Sequence, residues 1–321
     1  MSPATFEGHP ESAKLNDLHA SAGSTANLHT FYYNGVIVGL YGLLEHFVEG
    51  LLSEFVRRVS AASRTYDDLP EPIRAHHLPL TLEVLGKLGT GKYQGKLDER
   101  TLIASLHSCL SGAHTFTLND VVFAHHTANF RSDVILFCFN RVGVDLKKLS
   151  RSASLVQAMD RHFPGSSRPF FVVDDLAERR NEVAHGAASE LLSPEILESY
   201  LDVVESFAQA LLEDVTSHLV NAVVPHVGRQ LGKPDRVFRH SIAGFEQLPQ
   251  RVAVGDIVAV IDGEGRARCA RVTSIQVENA QVAHAELGAS TGVSIGPPLT
   301  QRSRLFLMPD GSGYLLPRDA N

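Results

Sequence analysis

Residues 34–52 read NGVIVGLYGLLEHFVEGLL and lie inside a longer stretch, Leu28–Val59, that decides the fold. Its apolar side chains recur at steps of three and four residues, which is the spacing of one face of an α-helix. The stretch predicts a single amphipathic helix of roughly 45 Å, at about 1.5 Å per residue. The apolar positions are Ile37, Leu40, Tyr41, Leu44, Val48, Leu51, Phe55 and Val59.

Three more stretches before residue 230 also have the signals of helices. Residues 129–143 begin near Ser132, which can cap a helix N-terminus, and end at Gly143, which suits the position after a C-terminus. A second helix is predicted from about residue 168 to His185, where Gly186 stops it. A third helix is predicted to start after Ser193, because the proline and glutamate that follow are favoured in a first turn. It continues to about residue 224.

The composition changes after the Gly-Lys-Pro sequence at 232–234. Short alternating segments follow, such as GDIVAVID, RLFLMP and GYLLP, and Gly, Pro, Asp and Asn separate them, which is typical of short antiparallel strands. The sequence therefore predicts a mainly α protein, in which a helical bundle precedes a small antiparallel β domain. The predicted division is a flexible N-terminal tail at 1–25, a helical domain at 26–232 and a β-rich domain at 235–321.

Charge and cysteine usage narrow the classes of function. The net charge is −7, and residues 235–321 contain nine arginines and nine acidic residues, so the excess negative charge lies in the first 234 residues. Such a chain binds nucleic acid poorly through its overall charge, and any contact with RNA needs a local site. The three cysteines are far apart, and we see neither a secretion signal nor a membrane-spanning stretch, which predicts a cytoplasmic protein.

The segment Arg179-Arg180-Asn181-Glu182-Val183-Ala184-His185-Gly186 is the main candidate site. On a helical wheel Arg180 falls within an apolar face, where a guanidinium is costly unless it is paired, so it is either ion-paired in the core or exposed in a cleft. Asp174, Glu178, Asn181 and His185 form a polar stripe on another side. On physical grounds alone the segment also suits a structural role, since a histidine before a capping glycine complements the helix dipole.

Two other groups of residues could have a function, but each also has a simpler structural interpretation. The arginine pairs of the β region, Arg266 with Arg268 and Arg302 with Arg304, could bind RNA phosphates or pair with nearby acidic residues at the surface. The chain has 16 histidines, but they lack the spacing of metal ligands, so the sequence predicts no metal site.

The sequence Arg180-Asn181-x-x-x-His185-Gly186, near the end of a late helix, resembles the Rx4–6H motif of HEPN domains. The long early helix, which carries Glu45, and the stretch HTANFRSDVILFCFNRVGVDL at 126–146 are similar to the RiboL-PSP-type HEPN proteins. The resemblance covers roughly residues 28–220 and leaves the β region out. It implies a HEPN-like helical bundle that cleaves RNA without a metal or cofactor.

The resemblance also implies roles for the residues of the motif. His185 would move protons, Arg180 would stabilise charge on the phosphate, and Asn181 would orient the phosphate or the imidazole. Glu178 of the polar stripe and Glu45 of the early helix are candidate supporting residues, and Glu45 is the expected partner of Arg180 if that arginine is ion-paired in the core. HEPN ribonucleases are typically homodimers whose two motifs form one site, and many are toxins with a partner antitoxin or effectors of antiviral defence. Some HEPN domains are inactive, so the alternative is a non-catalytic dimerisation module whose β domain binds a partner.

Overall fold

The computed structural model describes residues 25–89, 93, 95, 97–112, 115–186 and 190–315. These residues contain seven α-helices followed by eleven short strands, so the predicted order of a helical region before a β region is confirmed. The predicted tail at 1–25 lies outside the described residues except for Thr25, which begins the first helix. The helices are α1 (Thr25–Ala62), α2 (Glu71–Leu85), α3 (Glu99–Leu110), α4 (Ser132–Asn140), α5 (Ala153–His162), α6 (Phe171–Ala184) and α7 (Pro194–Val227).

Helix α1 confirms the apolar repeat of the sequence. Seven of the eight predicted positions are buried, each no more than 8% exposed. The exception is Leu51, which is half-buried, whereas its neighbour Leu52 is fully buried. Among the described residues α1 is also, by length and composition, the one helix apolar enough to cross a membrane, which the sequence did not predict. Its apolar stripe is buried inside the protein, and the absence of a membrane partner stays a prediction.

The chain folds into two compact units. The first contains α1 as far as Phe47, residues 128–133, and the chain from Ser150 to Ala208, which includes α5, α6 and the start of α7. The second contains residues 48–127 and 134–149 together with everything after 209, which includes all the strands. The predicted division at 232–235 stays a prediction.

The β region consists of two antiparallel sheets and a short pair of strands. In the four-stranded sheet the order is β1-β11-β5-β6, and in the five-stranded sheet it is β2-β3-β10-β7-β8. Strand β1 precedes the predicted start of the β region at 235. The strands are β1 (Arg229–Gly232), β2 (Arg236–Phe238), β3 (Ile242–Phe245), β4 (Val252–Ala253), β5 (Ile257–Ile261), β6 (Ala267–Arg271), β7 (Ser274–Val277), β8 (Ala280–Val282), β9 (His284–Ala285), β10 (Thr291–Ser294) and β11 (Arg304–Leu307).

A buried histidine gives the second unit a pH-dependent stability. His77 is fully buried, its Nε2 accepts the Asn119 N–H at 3.3 Å, and Tyr66 Oη lies 3.3 Å from its Nδ1. Burial lowers the pKa of His77 to about 4, whereas the unfolded chain titrates near the ordinary value of about 6.5. The unfolded state therefore takes up the proton first as the pH falls below that value.

We expect the free energy of unfolding to decrease by up to about 3 kcal/mol between pH 7 and pH 4 because of this residue. Denaturant unfolding of the protein and of His77→Gln across this range measures the effect, since glutamine keeps polar atoms but does not titrate. The prediction is contradicted if both proteins lose stability with the same pH dependence.

Candidate functional site

Helix α6 carries the candidate residues and ends as the sequence predicts. Val172, Val173, Leu176 and Ala177 bury one face of the helix. The backbone N–H of His185 donates to the carbonyl of Asn181 at 3.0 Å, and Gly186 has a φ of +68°, the left-handed conformation that suits glycine after a helix. His185 is exposed at this end, so its imidazole is accessible to solvent.

Arg180 is half-buried and lies against an aromatic ring. Its guanidinium carbon is 5.3 Å from the centroid of the Tyr41 ring, within the range of a cation–π contact. Tyr41 is itself buried, and its hydroxyl accepts the backbone N–H of Phe130 at 2.8 Å, which fixes the ring. Among the ion pairs of the described residues none joins Arg180 to Glu45, and the contact of the guanidinium with the Tyr41 ring is the interaction that holds it.

Asn181 is oriented by a residue that sequence reasoning missed. The side-chain amide of Asn129 donates to Oδ1 of Asn181, and both belong to the first unit. The acceptor atom of Asn181 is thus occupied, and its Nδ2 makes no hydrogen bond with the residues that the structure describes, so its two hydrogens can be donated to another group. Donors of this kind suit a phosphate oxygen better than a carboxamide oxygen would.

Two other residues of the predicted polar stripe, Asp174 and Glu178, contact the residues that follow Asn129 in the chain. The guanidinium of Arg131 forms an ion pair with Glu178, and the Ser132 N–H donates to Oδ1 of Asp174 at 2.9 Å. Asp174 thereby caps the N-terminus of α4. Glu178 is thus engaged in an exposed ion pair, which contributes about 1 kcal/mol at most.

Arg179, next to the motif, belongs to a separate structural network. Its Nε donates to Oδ2 of Asp175 at 2.5 Å, and its Nη1 donates to Tyr33 Oη and the Glu190 carbonyl, both at 3.1 Å. Tyr200 Oη also donates to Oδ2 of Asp175, at 2.5 Å. Burial opposes the charge of Arg179, but these hydrogen bonds and the carboxylate raise its pKa overall. The spacing of Asp175 and Arg179, four residues apart on a helix, was the signal in the sequence.

Two of the four candidate arginines of the β region, Arg266 and Arg268, make contacts within the protein. Arg266 forms ion pairs with Asp262 at 3.1 Å and with Glu264 at 3.2 Å, which is the simpler of the two alternatives for this residue. Arg268 is partly buried, and its Nη2 donates to the carbonyls of Gly296 and Pro298 at 2.8 and 3.0 Å. Burial lowers the pKa of Arg268. Arg302 and Arg304 are both exposed.

Comparison with known proteins identifies the helical part of the chain. The family model described as RiboL-PSP-HEPN matches residues 11–217, about two thirds of the sequence, and this range contains α6 and the whole motif. The chain therefore belongs to the RiboL-PSP-HEPN family. The resemblance deduced from the motif is confirmed, and HEPN domains are commonly ribonucleases, which supports a nuclease or RNA-related function.

The other comparisons carry no argument about function. No curated protein matches the chain. The crystal structure of GDP-bound aIF5B from Aeropyrum pernix is 21% identical over 44% of this chain and 26% of that one, with a TM-score of 0.20. A flavohemoglobin from Malassezia yamatoensis with bound FAD and heme is 13% identical over 89% of this chain and 66% of that one, with a TM-score of 0.15. The chain thus spans about a quarter of the first protein.

Proposed function

We propose that the protein is a metal-independent endoribonuclease of the HEPN type that acts in the cytoplasm, as a toxin or as an effector of antiviral defence. The observation that carries the proposal is the state of the three motif side chains. The imidazole of His185 is exposed, the Arg180 guanidinium is held on the ring of Tyr41, and Asn181 keeps its amide donors available. A base, a cation and a neutral donor are the groups that RNA cleavage needs.

The proposed reaction uses the nucleophile that RNA itself provides. His185 accepts the proton of a 2′-OH while the oxygen attacks the adjacent phosphorus, and the bond from phosphorus to the 5′ oxygen breaks. The leaving oxygen takes up a proton, so the products are a 2′,3′-cyclic phosphate and a 5′-OH. Arg180 and the Asn181 amide stabilise the negative charge that develops on the non-bridging oxygens.

Incubation of the purified protein with total RNA, with and without EDTA, tests this function. Cleavage that persists in EDTA and leaves 2′,3′-cyclic phosphate ends supports it. Intact RNA with every substrate tried, together with binding to a partner protein, would favour the alternative of a non-catalytic interaction module.

We further predict that the active form is a homodimer whose interface includes the end of α6. Cleavage needs both a proton acceptor and a proton donor, and the motif offers one histidine. A symmetric pair brings a second copy of His185 to a shared site. Analytical ultracentrifugation at micromolar concentration measures the state, and a monomer that cleaves at the full rate would contradict the prediction.

A further inference from the structure

A basic hollow lies at one end of the four-stranded sheet in the second unit. Its volume is about 550 Å³. Strand β11 begins there at Arg304, which is opposite Ile261, the last residue of β5. The turn between β5 and β6 forms the other side. The lining residues are Lys233, Asp262, Gly263, Gly265, Arg302 and Arg304.

The turn that forms the hollow is held in place from both sides. Asp262 accepts the N–H groups of Glu264 and Arg266 at 2.8 and 2.9 Å, which closes the turn. Asn221 of α7 donates to the carbonyl of Gly265 at 2.8 Å. The hollow is therefore part of the folded framework and does not depend on a free loop.

One of the cations, Arg302, lies close to this turn. A side chain at Gly263 would lie 3.4 Å from Cβ and 3.5 Å from Cδ of Arg302. The stem of Arg302 therefore packs directly against the backbone of the turn. This contact keeps the arginine at the hollow while its guanidinium stays in solvent.

The charges of the hollow favour an anion. Lys233, Arg302 and Arg304 are all exposed, and none of them forms an ion pair with another residue that the structure describes. The carboxylate of Asp262 is already paired with Arg266 and bound by backbone N–H groups. Three cations thus face an opening in which the acidic group is already engaged.

We propose that this hollow binds the phosphodiester backbone of single-stranded RNA. Its lining contains cations, one carboxylate and two glycines but no aromatic side chain, so it offers phosphate contacts without a surface on which a base could stack. The binding is therefore independent of sequence. The choice of RNA over other phosphate carriers rests on the proposed ribonuclease function, whereas the anion site itself rests on the geometry. Arg266 and Arg268, which make contacts within the protein, are outside this site.

The test measures binding separately from cleavage. Full-length protein with His185→Ala is titrated into a fluorescein-labelled 20-nucleotide oligouridylate, and anisotropy gives the affinity at several salt concentrations. The double variant R302A/R304A is compared with R236A/R251A, which removes the same charge from exposed arginines of the β region that do not line the hollow. Thermal melts of both variants check folding.

We expect R302A/R304A to bind RNA about tenfold more weakly and to flatten the slope of log affinity against log salt by about 1.4, since each phosphate contact on a single strand contributes about 0.7. The control should keep the slope of the parent. An unchanged slope in R302A/R304A, or an equal loss in the control, overturns the proposal.

Competition with uridine monophosphate and with inorganic phosphate identifies the source of the phosphate. If millimolar amounts of both fail to displace the bound RNA, the hollow is supported as a site for the RNA backbone. Displacement by either at concentrations similar to those of the RNA phosphates overturns it in favour of a small-molecule site. A protein that binds RNA through the hollow but leaves it intact would refute the ribonuclease function and not the binding site.

Discussion

Replacing His185 by alanine is expected to reduce the rate of RNA cleavage by roughly 100- to 10,000-fold, the range of general acid–base catalysis. The fold should hardly change, because the imidazole is exposed and the hydrogen bond of the residue to Asn181 uses the backbone. A favourable interaction of the imidazole with the end of the helix contributes about 1 kcal/mol at most. Cleavage of a defined RNA under single-turnover conditions measures the rate.

The matched control for this variant is His107→Ala. His107 is also an exposed histidine near the C-terminal end of a helix, but it lies on α3 in the second unit. It should keep the full rate of cleavage. If His185→Ala cleaves as fast as His107→Ala, the proposed role of His185 as proton acceptor or donor is wrong.

Arg180→Ala is expected to reduce cleavage by about 100-fold or more, because a cation that stabilises the developing charge is lost. Its effect on stability should be small. The contact with Tyr41 contributes about 0.5–1 kcal/mol at a partly exposed site, whereas breaking a buried ion pair would cost about 3–5 kcal/mol. Arg180→Lys should also be impaired, since an ammonium cannot form the two parallel hydrogen bonds of a guanidinium.

For the neighbouring Arg179, we expect the main effect of a substitution to be on stability and not on cleavage. Arg179→Ala would leave the partly buried Asp175 carboxylate without its cation, at a cost of about 2–4 kcal/mol. Thermal melts combined with activity per folded molecule separate the two arginines. If Arg180→Ala has a melting temperature as low as that of Arg179→Ala and keeps its activity per folded molecule, the assignment of Arg180 as a catalytic residue is wrong.

Most of the longer helices were predictable from the sequence, either from an apolar repeat, as for α1 and α7, or from the signals at their ends, as for α4 and α6. α1 follows its repeat closely, because burial on one face decides its structure. Helix α2 begins at Glu71 although it contains two prolines, which are ordinarily signals of a break. Pro72 is tolerated because it lies in the first turn, where an N–H is dispensable. The helix also continues through Pro79, and its buried face includes Ile73, Leu80 and Val84 on both sides of the proline. The short helix α5 was not predicted.

In the β region, prediction from the sequence was incomplete because the pairing of distant segments decides which strands form. Strand β1 pairs with β11, which is far away in the sequence, so local alternation could not reveal it. The segment GYLLP at 313–317 was interpreted as a strand. Its described part instead forms a short 3-10 turn at Ser312–Leu315. Its composition fits a strand, but pairing with a neighbour decides whether a strand forms.

For the candidate site, the sequence identified the residues of the motif, and the structure identified the residues that hold them in place. The spacing of Arg180, Asn181 and His185 was visible as a motif, and all three lie at the end of α6 as predicted. Asn129, which orients Asn181, lies in the stretch at 126–146 that carries the resemblance, but its contact with Asn181 joins residues distant in sequence and has no local signal. Tertiary contacts of this kind cannot be deduced from one sequence.

Tyr41 gives the site a common anchor. The face of its ring carries the Arg180 guanidinium, and its hydroxyl holds the backbone N–H of Phe130, immediately after the residue that orients Asn181. Arg180 and Asn181 therefore both take their positions with the help of a single phenol on the first helix. A survey of natural variation that follows only the arginine, the asparagine and the histidine would overlook the position on which the alignment of two of them depends.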